Sequence, residues 1–407
     1  MIYRHTCSNG LRIVLEEMKA VRSLTIGIWV RTGSRMETIS NNGISHLLEH
    51  MMFKGTVNRS AQEIAEVFDK MGGELNAFTS KEFTCFYAKV LDTHKHLAVE
   101  VLADIVINAT IDDEELAREK QVVKEEIHMT EDTPDDIVHD LLEESAFPHH
   151  SIGLPILGTK ENVQGFSRDE LLQFKDTFYV ASNIVISVAG NVEPDFIQQI
   201  EKDFSKLSSQ PLHMNWETPV FTSNQIVKQK EIEQAHICKG YQGISMQDDN
   251  IYSMLLVNNL LGGSMSSRLF QDIRERHGLA YAIFSYHSTF LDTGLLTIYA
   301  GTSNEQRHTV DQKIDDMIEE LWTQSITDKE LTNGKEQLKG MLMLSLESTS
   351  SKMSRNARNE WAISEHPTID QVQEEIDQVD VSQINHVVTR LFERGTAHAT
   401  ITPSSLG

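Results

Sequence analysis

His46-Leu47-Leu48-Glu49-His50 gathers two histidines and a carboxylate within five residues. On a helix, positions i and i+4 share a face with Cβ atoms roughly 5–6 Å apart. Both imidazoles can then reach one metal ion at ~2.0–2.1 Å. Glu49, three residues after His46, projects from the same face and is better placed for a water beside the ion than for the ion itself. Leu47, Leu48 and Met51 turn away and can pack the helix into a core. Chance alone supplies such a match on the order of once in twenty chains of this histidine content. The helix start at Asn42-Gly43 and the apolar remainder strengthen it.

A catalytic zinc site needs a third protein ligand and an open position. The acidic stretch 113–131 is the best source. Glu119 and Glu126 lie seven residues apart, on one helix face about 10.5 Å apart along the axis. His128 also has a suitable side chain, whereas Glu125 points elsewhere. An acidic stretch is equally what a solvated helix face looks like. Periodicity leaves Glu119, Glu126 and His128 all open as the third ligand.

The elements that would position these groups follow a repeated order. Residues 11–17 and 23–31 read as strands, and 43–54 as an apolar-rich helix. Ser60 and Glu63 form a capping box for a helix that Gly72 and Gly73 close. Strands are expected at 74–78 and 82–91 around a turn at Thr79-Ser80-Lys81. Helices follow at 94–109, 113–131 and 135–146, then a buried strand at 184–190 and a helix at 195–204. Residues 208–219 carry two prolines and read as a linker.

Beyond it the order recurs: a strand at 231–240, helices at 248–261 and 265–276, strands at 280–289 and 293–301, and helices at 304–323 and 327–350. The second half is a loose copy of the first. One difference matters: the helix corresponding to 46–50 reads Leu255-Leu256-Val257-Asn258-Asn259, which cannot hold zinc. A chain of 407 residues is long enough for two domains, expected at 1–212 and 213–407.

The formal net charge is −24, from 60 acidic against 36 basic residues. That argues against a nucleic-acid partner, because phosphate binding requires a basic face. Cys7, Cys85 and Cys238 are odd in number and widely spaced, which implies no disulfide framework and a reducing compartment. No apolar run approaches the length of a bilayer, and residues 1–7 resemble no targeting leader. A cytoplasmic protein with no membrane association is expected.

The chain resembles the pitrilysin-type inverzincin peptidases, the family of insulin-degrading enzyme and mitochondrial processing peptidase. Residues 46–56 look like that family's zinc helix, and Arg118-Glu119 through Glu126-Ile127 like its second one. Residues 73–80 look like its substrate-pairing edge strand, and 155–159 like a loop of its shorter members. Ser267-Arg268-Leu269-Phe270 to Arg274, followed by Gly278-Leu279-Ala280-Tyr281, resembles the Arg…Tyr signature of its inert lobe. Phe147-Pro148-His149-His150-Ser151 departs from the family's usual loop.

The resemblance implies an α/β (α+β) fold of two homologous lobes, each a mainly antiparallel sheet packed with helices. It assigns one zinc ion per chain to His46, His50 and Glu126, with Glu119 as supporting acid. The implied activity is that of a zinc metalloendopeptidase. Glu49 would take a proton from the attacking water and hand it to the leaving amine. Arg274 and Tyr281, reaching across from the inert lobe, would orient the substrate and stabilise the oxyanion. The peptide would lie as an added strand along Asn76, Ala77 and Phe78. Larger relatives use four lobes, so a homodimer, or a hetero-partner, is expected to enclose a chamber that admits unfolded peptides. The alternatives are a non-catalytic core or partner subunit of the same fold, and a hydrolase of non-peptide bonds.

Overall fold

The computed structural model describes residues 1–212, 214 and 216–404. Positions 213 and 215, inside the expected linker, lie outside the described residues. The first half of the chain contains β1 (Ile2–Thr6), β2 (Arg12–Glu17), β3 (Ser23–Val30), α1 (Ile44–Met52) and α2 (Ala61–Met71). Next come β4 (Glu74–Thr79), β5 (Thr84–Leu91), α3 (Lys95–Asn108), α4 (Asp113–Asp132) and α5 (Pro134–Ala146). It ends with α6 (Lys160–Gly165), α7 (Arg168–Phe178), β6 (Ile184–Gly190) and α8 (Phe196–Asp203). The second half begins with β7 (Gln225–Lys230), β8 (Gln234–Gly243), α9 (Ile251–Leu261), a π-helical segment Phe270–Arg276, β9 (Ala280–Thr289) and β10 (Gly294–Ser303). Then follow α10 (Arg307–Gln324), α11 (Asp328–Ser345), α12 (Thr349–Ala362), α13 (Ile369–Gln378), α14 (Val381–Phe392) and β11 (Ala397–Pro403).

Two mixed sheets result, and the expected α/β architecture holds. The first has the order β1-β2-β6-β3-β5-β4 and the second β7-β11-β8-β10-β9. Matching strands in chain order, β2 to β7 through β6 to β11, superimposes one topology on the other. The senses agree as well. β2 and β6 are parallel, as are β7 and β11, and every other pairing within the two matched sets is antiparallel. The repeat read from the sequence is therefore a repeat of fold, with β1 as an extra edge strand.

The compact units are not the two contiguous halves expected from the linker. One contains residues 1–128, 154–216 and 345–366; the other contains 129–153, 217–344 and 367–407. The expected boundary at 212/213 falls beside a true break, but each unit also takes a helix from the opposite half. α12 packs on β6, β3 and β2 of the first unit, and α5 on β11, β8 and β7 of the second. These are matching strands. The physical reason is that a sheet buries one face on any suitable amphipathic helix, whatever its sequence distance. The helix expected over 327–350 accordingly ends at Ser345, and α12 starts afresh with Ser348 as its N-cap.

In the first unit α12 comes close enough that a Cβ on Gly27 would sit 2.3 Å from Met353 Sδ. Thr25 Oγ1 lies 2.8 Å from Thr349 Oγ1, and Ser187 Oγ donates to the Met353 carbonyl at 2.8 Å. The opposite face of that sheet is covered by α1, α3 and α7, whose Leu47, Leu48, Met51, Leu102, Ile105 and Leu171 are fully buried. The core thus holds the helix that carries both motif histidines.

Candidate active site

α1 is anchored at its start by a residue outside the helix. The Glu37 carboxylate accepts from the backbone N–H groups of Gly43 (2.7 Å) and Ser45 (2.8 Å) and from Asn42 Nδ2 (2.8 Å). These satisfy donors that a helix N-terminus leaves orphaned, and an acid there complements the macrodipole. Burial still pushes the Glu37 carboxyl above its ordinary pKa. Gly43 has φ of 100°, and a Cβ would meet the Leu157 carbonyl oxygen at 2.8 Å. The 155–158 loop is therefore the buttress of this helix, and Asn42 Nδ2 also donates to the Pro155 carbonyl at 2.9 Å.

The i, i+4 spacing brings His46 and His50 together, with ring centroids 4.7 Å apart. Glu126 on α4 joins them: its Oε2 lies 3.7 Å from His46 Nε2 and 3.6 Å from His50 Nε2. A tetrahedral ion with bonds of ~2.1 Å holds its donors about 3.4 Å apart. The observed separations are too long for hydrogen bonds and close to that value. The three donors therefore fit a metal ion. Among the candidates for third ligand, the structure groups Glu126 with the histidines.

Burial, followed by the neighbouring His50, pushes the His46 pKa down to about 3. Its ring is neutral at pH 7, so the approach of Glu126 is not an ion pair. A neutral imidazole has the lone pair a ligand needs. Glu119 is buried on the same face of α4, about two turns nearer its N-terminus. Its Oε2 lies 3.0 Å from His50 Nδ1, and its Oε1 2.6 Å from Lys54 Nζ. A carboxylate can only accept, so His50 carries its proton on Nδ1 and turns Nε2 toward Glu126. That outer contact fixes the tautomer and orientation of a ligating ring.

Glu49 is buried beside this group, and desolvation raises its pKa. Thr79 Oγ1 donates to Glu49 Oε2 at 2.5 Å, which opposes that rise. Thr79 closes β4, where strand alternation turns Leu75, Ala77 and Thr79 to the inner face and Glu74, Asn76 and Phe78 outward. Sequence reasoning placed Thr79 in the turn and missed its contact with Glu49. It missed Glu37 and Lys54 too, although Lys54 stands four residues after His50, a spacing that offers a signal.

Among the described residues β4 is an edge strand, paired with β5 alone. On its open edge the Ala77 N–H donates to Asn76 Oδ1 at 2.8 Å, and Phe78 is 38% exposed. In the second unit, the Arg274 guanidinium stacks over the Tyr281 and Phe270 rings, each at 4.7 Å, and Tyr281 is 80% exposed.

A helix bearing an inverted His-x-x-Glu-His motif, with a carboxylate delivered by a second helix, defines the inverzincin class of metallopeptidase sites. Residues 12–160 match the insulinase family, peptidase family M16, and residues 165–338 match the peptidase M16 inactive domain. The chain belongs to peptidase family M16. It is 51% identical over 404 residues to the "uncharacterized zinc protease YmxG" of Bacillus subtilis, covering 99% of each chain. It is 38% identical over 411 residues to the "uncharacterized zinc protease SCO5738" of Streptomyces coelicolor, covering 99% of this chain and 90% of that one. A protease from Helicobacter pylori shares its fold with a TM-score of 0.92 at 22% identity, over 99% of both chains.

Proposed function

We propose that this M16 peptidase is a zinc-dependent endopeptidase that cleaves unfolded or short peptides. The observation that carries the reading is the convergence of His46, His50 and Glu126 donors within 4.8 Å of one another, with Glu49 buried alongside. The names of the B. subtilis and S. coelicolor relatives support zinc as the metal. Bound there, zinc supplies Lewis-acid activation of water and of the scissile carbonyl.

The chain's own residues do the rest. Glu49 accepts the proton of the attacking water and returns it to the leaving amine; its raised pKa suits a base that must later act as an acid. Thr79 holds the Glu49 carboxylate in one orientation. Glu119 holds His50. The substrate adds as a strand to β4 along Asn76, Ala77 and Phe78, so affinity comes from backbone hydrogen bonding with weak sequence preference. Arg274 and Tyr281 contact the substrate from the inactive domain; the exposure of Tyr281 and its stacking with Arg274 support that role. The active protein is a homodimer, or a heterodimer, that encloses a chamber. No helix among the described residues is long and apolar enough to cross a membrane. Three free buried cysteines suit a reducing, cytoplasmic setting.

The decisive experiment is Glu49→Gln assayed on an unstructured peptide, with metal content measured on the same sample. Metal retained and cleavage lost is the expected result. Near-normal turnover would end the general-base assignment. Chelation of the wild type should abolish cleavage, and added zinc should restore it.

A further inference from the structure

The described residues contain a second group of metal-ligating side chains besides the catalytic one: His5, Cys7 and Glu201, whose donor atoms all lie within 4.8 Å of one another. His5 and Cys7 are two residues apart on and just beyond β1, so strand alternation sends both side chains to one face. Glu201 comes from α8. His5 Nε2 lies 3.2 Å from Glu201 Oε2.

We propose that His5, Cys7 and Glu201 form a second zinc site that clips the β1 edge strand to α8. The donors stand on fixed supports. His5 is held in register opposite Ile13 of β2. Cys7 sits in a tight turn, its N–H donating to the Leu11 carbonyl at 2.8 Å and its carbonyl accepting from Gly10 at 2.9 Å. Asn9 Nδ2 donates to the Phe204 carbonyl at 3.2 Å, tying that turn to the end of α8. The cysteine is 6% exposed, whereas the His5 and Glu201 side chains are each 39% exposed. One side of the group thus opens to solvent, which leaves room for an entering ion and a water as fourth ligand.

The donor set selects the ion. One thiolate, one imidazole and one carboxylate suit a borderline-soft tetrahedral cation, zinc(II) or its spectroscopic substitute cobalt(II), over calcium or magnesium. Without metal, burial and then Glu201 push the Cys7 thiol up to about 11. Coordination releases that proton to solvent as the sulfur–metal bond forms. The single zinc per chain expected from the motif counts only the catalytic centre.

Cobalt(II) titration of the chelator-treated full chain tests the site independently of peptide cleavage. Two equivalents should bind, and one should give a near-ultraviolet thiolate-to-cobalt charge-transfer band. Cys85 and Cys238 are fully buried, so Cys7 is the thiol that supplies it. Cys7→Ser should remove the band and one equivalent while leaving zinc-supported peptide cleavage intact. The band should survive His46→Ala/His50→Ala, which empties the catalytic centre. Glu201→Gln should weaken cobalt binding at this site at least tenfold without touching the sulfur. In the double-histidine variant, zinc should raise the unfolding temperature only while Cys7 is present. A single equivalent with no thiolate band in the wild type, or a band that persists in Cys7→Ser, overturns the proposal.

Discussion

The two units share a strand plan and differ in what faces the sheet. In the first, α1 presents His46, Glu49 and His50, and α4 answers with Glu119 and Glu126. In the second, the matching stretch of α9 is Leu255 to Asn259. α4 and α11 each start at an aspartate, Asp113 and Asp328, and counting from those starts sets Gly334 opposite Glu119 and Met341 opposite Glu126. A Cβ on Gly334 would touch the Leu256 and Leu260 side chains at 3.5 Å. Where one unit holds His50 by a carboxylate, the other pairs a neutral amide, Asn259 Nδ2 donating to Gln337 Oε1 of α11 at 3.1 Å, beside that apolar contact. The comparison teaches that the scaffold does not require the polar site. His46, Glu49 and Glu119 are buried polar groups, a costly arrangement unless their partners are in place, and the second unit shows the same topology without them.

The sharpest way to break this contrast is a matched pair of variants. Glu49→Gln should lower kcat by ~10²–10⁴-fold, the range of general acid–base catalysis. Asn258→Asp, at the corresponding place on α9, should leave kcat unchanged. A comparable loss from both would mean that the second unit's helix also carries chemistry.

Next in size are the two exchanged helices. Leu142 on α5 and Met353 on α12 are both essentially inaccessible, and truncating either to alanine should cost about 2–5 kcal/mol in urea unfolding. If one truncation were nearly neutral, the helices would not be equivalent covers. Glu119→Gln should weaken zinc by about 10–100-fold, as loss of an outer partner does; equilibrium dialysis reads this directly. Unchanged affinity would reduce Glu119 to a partner of Lys54 alone. The smallest effect is expected from Thr79→Val, which keeps the shape and deletes the donor to Glu49. A fall of about tenfold in kcat with KM unchanged is expected, close to the worth of one hydrogen bond to a charged group. A change confined to KM would make Thr79 a substrate contact instead.

Much of this was legible because local chemistry announced it. The capping box of Ser60 and Glu63 is formed on both sides, and Gly72 closes α2 with φ of 59°. The His46 and His50 spacing converges on Glu126. Other parts carry weak or conflicting local signals. β11 alternates Ala397, Ala399 and Ile401 with polar residues and is readable as a strand, whereas β7 has only Ile226 and Val227 as apolar residues. The apolar run through Met341, Met343, Leu344 and Leu346 continues a helical pattern across the break at 346–348, where no glycine or proline stops it. The exchange of α5 and α12 is invisible to periodicity, since an amphipathic face states that it needs a partner and not which one. Contacts such as Thr79 to Glu49 join elements 30 residues apart and require the fold before they can be seen.

The segment 345–366 belongs to the first unit although 128 residues separate it from that unit's preceding segment, which ends at Trp216. During synthesis, at ~5–20 residues per second, the first unit's sheet waits on the order of 6–26 s for its own covering helix to be made. Over that interval the strand face around Gly27 lacks its helix, so the nascent chain needs protection from aggregation there. A gene cut at the linker would yield two fragments, each missing one helix, that should become stable only when mixed.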